Sequence, residues 1–178
     1  MNMRMRLWVF VTMPFIACAN LAAGEQLSLP DAPVTDAFYQ TEGFVSRLQG
    51  AGTVIVSFSF IECTTLCPIT NVILAEVDDR IVAEGLPLTI VTLTIDPVND
   101  TPEKLAEAAQ AVGASDRWLW LTAAPMDTFL LLDSLGLPPG PIEDHNPMLL
   151  IGNVGSGEFQ RLVGLPEPDG LIDLAMGF

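Results

Sequence analysis

The chain has 178 residues, half of them hydrophobic, and a mean hydropathy of +0.45. That suits one globular domain and excludes a wholly disordered chain, because disorder needs low hydrophobicity. Twenty-two Asp and Glu face seven Lys and Arg, a formal charge of −15, and from Glu25 onward the balance is 5 basic against 22 acidic residues. Such a surface repels phosphate backbones and anionic membranes, which excludes nucleic-acid binding by a basic face and favours cationic protein patches and metal cations.

Met1–Arg6 is short and basic, Leu7–Ala17 is an uncharged, largely apolar run of 11 residues, and small residues follow at Ala19, Ala22, Ala23 and Gly24. This order predicts a secretory signal peptide over residues 1–24, because the apolar run falls short of the ~20 residues that span a bilayer. Ala17-Cys18-Ala19 fits an A-x-A cleavage site. A second reading makes Cys18 the lipid-modified first residue of a lipoprotein, although Phe15 fits the usual aliphatic position poorly; a third is an uncleaved anchor. All three place the rest of the chain outside the cytoplasm, in the periplasm or on the outer side of a membrane.

Residues 25–34 are polar and punctuated by proline, and are expected to form a mobile linker ahead of a domain over 35–178. Thr53–Phe60 (TVIVSFSF) is rich in β-branched and aromatic residues and predicts a buried strand. Pro68 suits a first helical turn, and apolar residues at 72, 73, 77, 81 and 82 recur at helical spacing until Gly85. Leu86–Ile95 is a second apolar strand, followed by the turn Asp96-Pro97-Val98-Asn99-Asp100. Thr101 is a candidate N-cap with Pro102 at the first helical position, and that helix runs to about Val112 before Gly113. Trp118–Leu121 predicts a short strand, and Pro125–Leu135 a helix ended by Gly136. Pro138–Asn146 is an irregular loop. Pro147–Ile151 and Phe159–Val163 form strands of a hairpin turning at Gly155–Gly157, and Leu171–Met176 a last helical turn.

Strands alternating with amphipathic helices predict an α/β fold with a parallel-containing sheet covered on both faces, edged by the antiparallel hairpin. The order of strand, loop, helix, strand, helix, then terminal hairpin and helix is thioredoxin-like.

Once the leader is set aside, two cysteines remain, Cys63 and Cys67, in an oxidising compartment. A bridge between residues four apart removes little unfolded-state entropy, so reactivity or metal binding explains the pair better than stapling does. The pair lies where a strand passes into a helix, the place where open α/β sheets carry ligand-binding groups. A helix N-terminus favours the thiolate form of a nearby cysteine. Residues four apart share one face of a helical turn, so both sulfurs are expected to converge, as a redox dithiol or as two arms of a soft-metal site.

The chain has one histidine, His145, in the loop before Pro147-Met148. On its own it reads as a hydrogen-bonded loop residue. In a thioredoxin-like sheet that loop lies across from the cysteine segment, and two thiolates with one imidazole suit copper, sulfur favouring the cuprous state. Structural zinc wants a fourth protein ligand, and none is obvious. A Ser-His-Asp hydrolase has little support.

These residues resemble the Sco/SenC family of copper-binding, thioredoxin-fold proteins that help assemble the copper centres of respiratory oxidases. Cys63-x-x-x-Cys67-Pro68 resembles the family's CxxxCP motif. Thr94-Ile95-Asp96-Pro97 with Asp100-Thr101-Pro102-Glu103 resembles its DPxxDTPE, Trp118–Thr122 its W-x-x-L-T, and Asp144-His145 its distal histidine. The resemblance covers about Val34 to Val163. It implies copper in one or both oxidation states, held by Cys63, Cys67 and His145. It also implies a copper-receiving partner such as a respiratory oxidase subunit, with an upstream copper donor or thiol reductant as a further partner. Thr64 and Leu66 stand where many members carry proline and an acid, the segment between Ala37 and Thr53 is short, and so is the tail after Gly164.

Two function classes stay open: a copper metallochaperone using all three ligands, and a thiol–disulfide oxidoreductase needing only Cys63 and Cys67. A peroxidase fits less well, and a copper- or redox-responsive binding module without turnover is a third class. Pro147 is expected either as a cis-proline opposite the cysteines or as an ordinary trans proline opening a strand. Asp96 and Asp100 read as a solvated turn, with a role behind the metal ligands as the alternative. Glu62, Glu143 and Asp144 either focus cations onto the site or belong to a generally acidic surface. Met126 and Met148 are expected in the core.

Overall fold

The computed structural model describes residues 24–138, 140–142 and 146–178. Residues 1–23 of the expected signal segment, and His145 with Glu143 and Asp144, lie outside the described residues.

Eight strands form one mixed sheet: β1 (Glu25–Gln26), β2 (Pro33–Asp36), β3 (Thr41–Gly43), β4 (Thr53–Ser59), β5 (Leu88–Thr94), β6 (Trp118–Ala123), β7 (Met148–Asn153) and β8 (Glu158–Val163). Their order across the sheet is β1-β8-β7-β4-β5-β6-β2-β3. The central strands β4, β5 and β6 are parallel, and the remaining pairings are antiparallel. Five helices complete the fold: α1 (Phe44–Leu48), α2 (Leu66–Glu84), α3 (Pro102–Val112), α4 (Pro125–Ser134) and α5 (Pro168–Met176). This is a thioredoxin-like α/β architecture with helices on both faces.

Alternation along the strands sorts the core into two layers. Val54, Val56 and Phe58 of β4 and Val91 and Leu93 of β5 face Phe44 and Leu48 of α1 and Leu131 of α4. Ile55 and Ile90 face the other way, against Leu74, Val77 and Ile81 of α2, Leu105 of α3, and Leu171, Ile172 and Ala175 of α5. The central strands are buried on both sides, which is why they read as continuous apolar runs. Helix ends follow local chemistry. The Thr101 side chain accepts from the Lys104 N–H, and Gly85 and Gly113 close their helices in the left-handed conformation.

Two expectations, on residues 25–34 and on Met126, are corrected, and the open choice at Pro147 is decided. The 25–34 segment is tied to the sheet: Glu25–Gln26 pairs with β8, the Leu27 N–H donates to the Gly157 carbonyl at 2.8 Å, and Ala32 is buried. Backbone pairing at both sheet edges outweighs its polar composition. No peptide bond among the described residues is cis, so the Asn146–Pro147 bond is trans. Pro147 enters β7 in the ordinary way, its carbonyl accepting from the Gly164 N–H at 2.8 Å. Met126 is 69% exposed, because α4 buries only Thr128 and Leu131 and turns Met126, Phe129 and Leu130 outward. Met148 is in the core as expected.

Candidate metal and redox centre

The cysteine segment begins where β4 ends. The chain turns at Ile61–Glu62, the Cys63 N–H donates to the Phe60 carbonyl at 3.2 Å, and α2 starts at Leu66. Cys63 therefore sits in the loop and Cys67 in the first helical turn, so the sulfurs converge across a loop–helix junction rather than along one helical face. They are joined as a disulfide, with Cα atoms 5.9 Å apart. Thr65 occupies the N-cap position without a side-chain capping bond. In its stead the Cys67 N–H donates to Cys63 Sγ at 3.4 Å, so the sulfur takes up an N–H that a cap oxygen would ordinarily bind. Pro68 is harmless here, because the first-turn N–H groups have no helical acceptor.

The two sulfurs differ in access. Cys67 is 6% exposed and Cys63 is half-buried, so an incoming thiolate or metal ion meets Cys63 first. When the bond is reduced, the N-terminus of α2 favours the Cys63 thiolate, because the Cys67 N–H already points at the Cys63 sulfur.

The two aspartates after β5 part company. Asp96 organises the turn itself: its carboxylate accepts from Asn99 Nδ2 at 2.8 and 3.1 Å, and its carbonyl from the N–H groups of Asn99 and Asp100. Asp100 is almost wholly buried. Its carboxylate accepts from the Thr94 hydroxyl and from the Ile61 N–H at 3.2 and 3.3 Å, which ties the loop before Cys63 to the end of β5. Burial pushes the Asp100 carboxyl above the ordinary carboxylate range, opposed by the hydrogen bonds from Thr94 and Ile61. Sequence alone signals a turn at this place; only the tertiary fold sets the Ile61 N–H against the carboxylate.

A raised folded-state value means the protonated form adds stability that is complete below the unfolded value near 3.8 and is lost as pH rises through the folded value. Asp100→Asn, neutral throughout, is therefore expected to gain on the wild type as pH rises from 4 to 7, read by denaturant unfolding across that range. A pH-independent difference would contradict this. Asp100→Ala, which strands the Ile61 N–H, is expected to cost about 1–3 kcal/mol at any pH.

Among the described residues no group of three or more His, Cys, Asp and Glu converges on a cation position. The donors brought together here are two sulfurs, which suit a soft metal once reduced. Glu62 is exposed beside Cys63. No described helix is long and apolar enough to cross a membrane.

Comparison with known proteins supplies the context. The SCO1/SenC family model matches residues 40–127, which contain both cysteines. A SCO1 protein homolog of Bacillus subtilis is 30% identical over 69 residues, 38% of this chain and 36% of that relative, so the match spans little more than a third of its length. The fold is similar to a crystal structure of a SCO1/SenC family lipoprotein from Bacillus anthracis, at a TM-score of 0.74 and 19% identity, covering 88% of this chain and 98% of that one. It is also similar to Arabidopsis thaliana ScoI crystallised with copper bound, at a TM-score of 0.69 and 19% identity, covering 88% of this chain and 97% of that one.

Proposed function

We infer that this chain, which belongs to the SCO1/SenC family, is an extracytoplasmic copper carrier that hands its ion to a respiratory copper enzyme such as cytochrome c oxidase. The observation that carries the reading is the Cys63–Cys67 pair at the mouth of α2, its sulfurs brought together and Cys63 the more accessible. Copper is the cargo. Cys63 and Cys67, reduced, supply two soft donors, and His145 supplies the third. Three-coordinate copper leaves room for the recipient's ligands to enter before the carrier's leave. ScoI of Arabidopsis, crystallised with copper, supports this choice of metal. Residues 1–24 act as an export signal, with lipid attachment at Cys18 as the variant form.

Loading requires reduction. A thiolate of a dithiol reductant attacks Cys63 Sγ, the S–S bond breaks, and the Cys67 sulfur leaves as thiolate; the reductant's second thiol then resolves the mixed disulfide, leaving the reductant oxidised. That the pair forms a disulfide favours a second reading, in which the chain itself exchanges disulfides with its partner's cysteines.

His145 separates the two. His145→Ala is expected to lower copper affinity by at least about tenfold, since even removing a group that only orients a ligand costs 10–100-fold. The Cys63–Cys67 disulfide should still form. Anaerobic copper titration against a competing chelator measures the first, and thiol counting the second. Undiminished affinity would remove the three-ligand site, and retained reduction of a partner disulfide would favour the exchange reading.

A further inference from the structure

The chain leaves an apolar cleft open beside its cysteines. A cavity of about 510 Å³ lies between α2 and α3 over the sheet, with Cys63 and Cys67 in its wall beside Pro68, Val72, Ala75, Ala108, Ala111 and Trp120. Alanines on both helices leave the space between them unfilled. Leu66, Ile69 and Val72 follow at helical spacing on α2, and Val72 is 70% and Ile69 48% exposed. A cleft of this size and lining receives a large apolar group.

Charge around the cleft is mostly negative. Glu62 beside Cys63, Glu76 one helical turn beyond Val72, and Glu107 beside Ala108 are all exposed. Most of the described basic residues are engaged elsewhere. Arg47 pairs with Asp36, Arg80 with Glu84 and Asp169, and Arg161 with Glu25. Arg117 donates to the Leu88 carbonyl at the opposite end of the strands, while Lys104, one helical turn before Ala108 and in the field of Asp100, is a lone cation on the cleft's side among the described residues. Small anionic thiols are repelled from such a mouth, while a cationic segment is drawn to it.

We propose that this cleft docks a protein segment in which one large apolar side chain lies near a cysteine and is flanked by lysine or arginine. The apolar side chain fills the space between α2 and α3, the basic flanks meet the acidic rim, and the segment's sulfur is thereby brought to Cys63. This rests on the carrier reading for its purpose, because the docked sulfur is the one that receives the ion.

The test uses the purified reduced protein and three ten-residue peptides, followed by Trp fluorescence. The first has one cysteine, a phenylalanine two residues from it and lysines at both ends. The second replaces the phenylalanine with alanine, and the third replaces the lysines with glutamates. The first should bind at least tenfold more tightly than either of the others. Val72→Lys, at an exposed position that does not endanger folding, and Ala108→Leu, which fills the cleft, should each lower that affinity at least tenfold while copper stoichiometry is unchanged. Equal binding of the three peptides, or full affinity in both variants, would overturn the proposal. A wild type that keeps the peptide preference but binds no copper would uphold the cleft and remove the carrier reading. One copper per chain with no peptide preference would do the reverse.

Discussion

Serine in place of Cys67 is expected to abolish high-affinity copper binding and the disulfide together while leaving the fold intact. A hydroxyl is a hard, protonated donor at neutral pH, so the cuprous ion loses one of two sulfurs and the pair can no longer close. The loss should exceed about a hundredfold, the upper bound for removing a group that merely orients a ligand. Stability should suffer far less. Cys63 and Cys67 are four residues apart, and loop-closure entropy for so short a ring is worth about 2 kcal/mol at most. The core on either side of the sheet does not depend on the bridge. Circular dichroism and denaturant unfolding check the fold, and competitive titration checks the metal. Tight copper binding by the serine variant would show that the ion sits elsewhere. Collapse of the fold would show that the bridge is structural, contrary to the reasoning from its short ring.

Gly152→Ala carries the largest expected effect on stability. Gly152 lies in β7 between β4 and β8, opposite Val54 on one side and Phe159 on the other. A Cβ there would stand 2.1 Å from the Glu158 carbonyl oxygen and 2.7 Å from the Phe159 Cα. Both obstacles are backbone, so no side chain can swing away, and the β7–β8 pairing must open. The expected cost is about 3 kcal/mol, the upper end of what overpacking costs, out of roughly 5–15 kcal/mol for a domain. Unfolding in urea measures it, and a loss under about 1 kcal/mol would contradict this strand register. Because His145 precedes β7 by three residues, the same variant should also weaken copper binding through displacement of the loop's anchor.

The parts of the fold written in the sequence are those where local chemistry and burial agree. β4 and β5 stand out because every residue from Val54 to Ser59 and from Leu88 to Thr94 is buried, selecting β-branched and apolar types. Thr101-Pro102 and Gly113 bracket α3 because caps act within one turn. By contrast β1, β2, β3 and α1 are two to five residues long, and several of their residues are exposed, so periodicity has too few positions to act on. Apolar residues on α4 mislead for the opposite reason: Met126, Phe129 and Leu130 look like core and face outward.

Legibility of the site divides in the same way. Cys63 and Cys67 announce themselves by spacing and by their place after a buried strand. Asp100 does not, because an aspartate in Asp-Pro-Val-Asn-Asp looks like turn chemistry, and its bond to the Ile61 N–H joins residues 39 apart. The cleft between α2 and α3 is equally silent, since Ala75, Ala108 and Ala111 read as ordinary helix formers until two helices are set side by side.

The most direct measurement is copper-edge X-ray absorption on the reduced protein loaded anaerobically with one equivalent of cuprous ion. Two sulfur scatterers and one nitrogen at bonding distance, the nitrogen vanishing in His145→Ala, is the predicted spectrum. A copper ion surrounded by oxygen and nitrogen alone, or a spectrum unchanged in that variant, would contradict a carrier built from an early pair of sulfurs and a late imidazole.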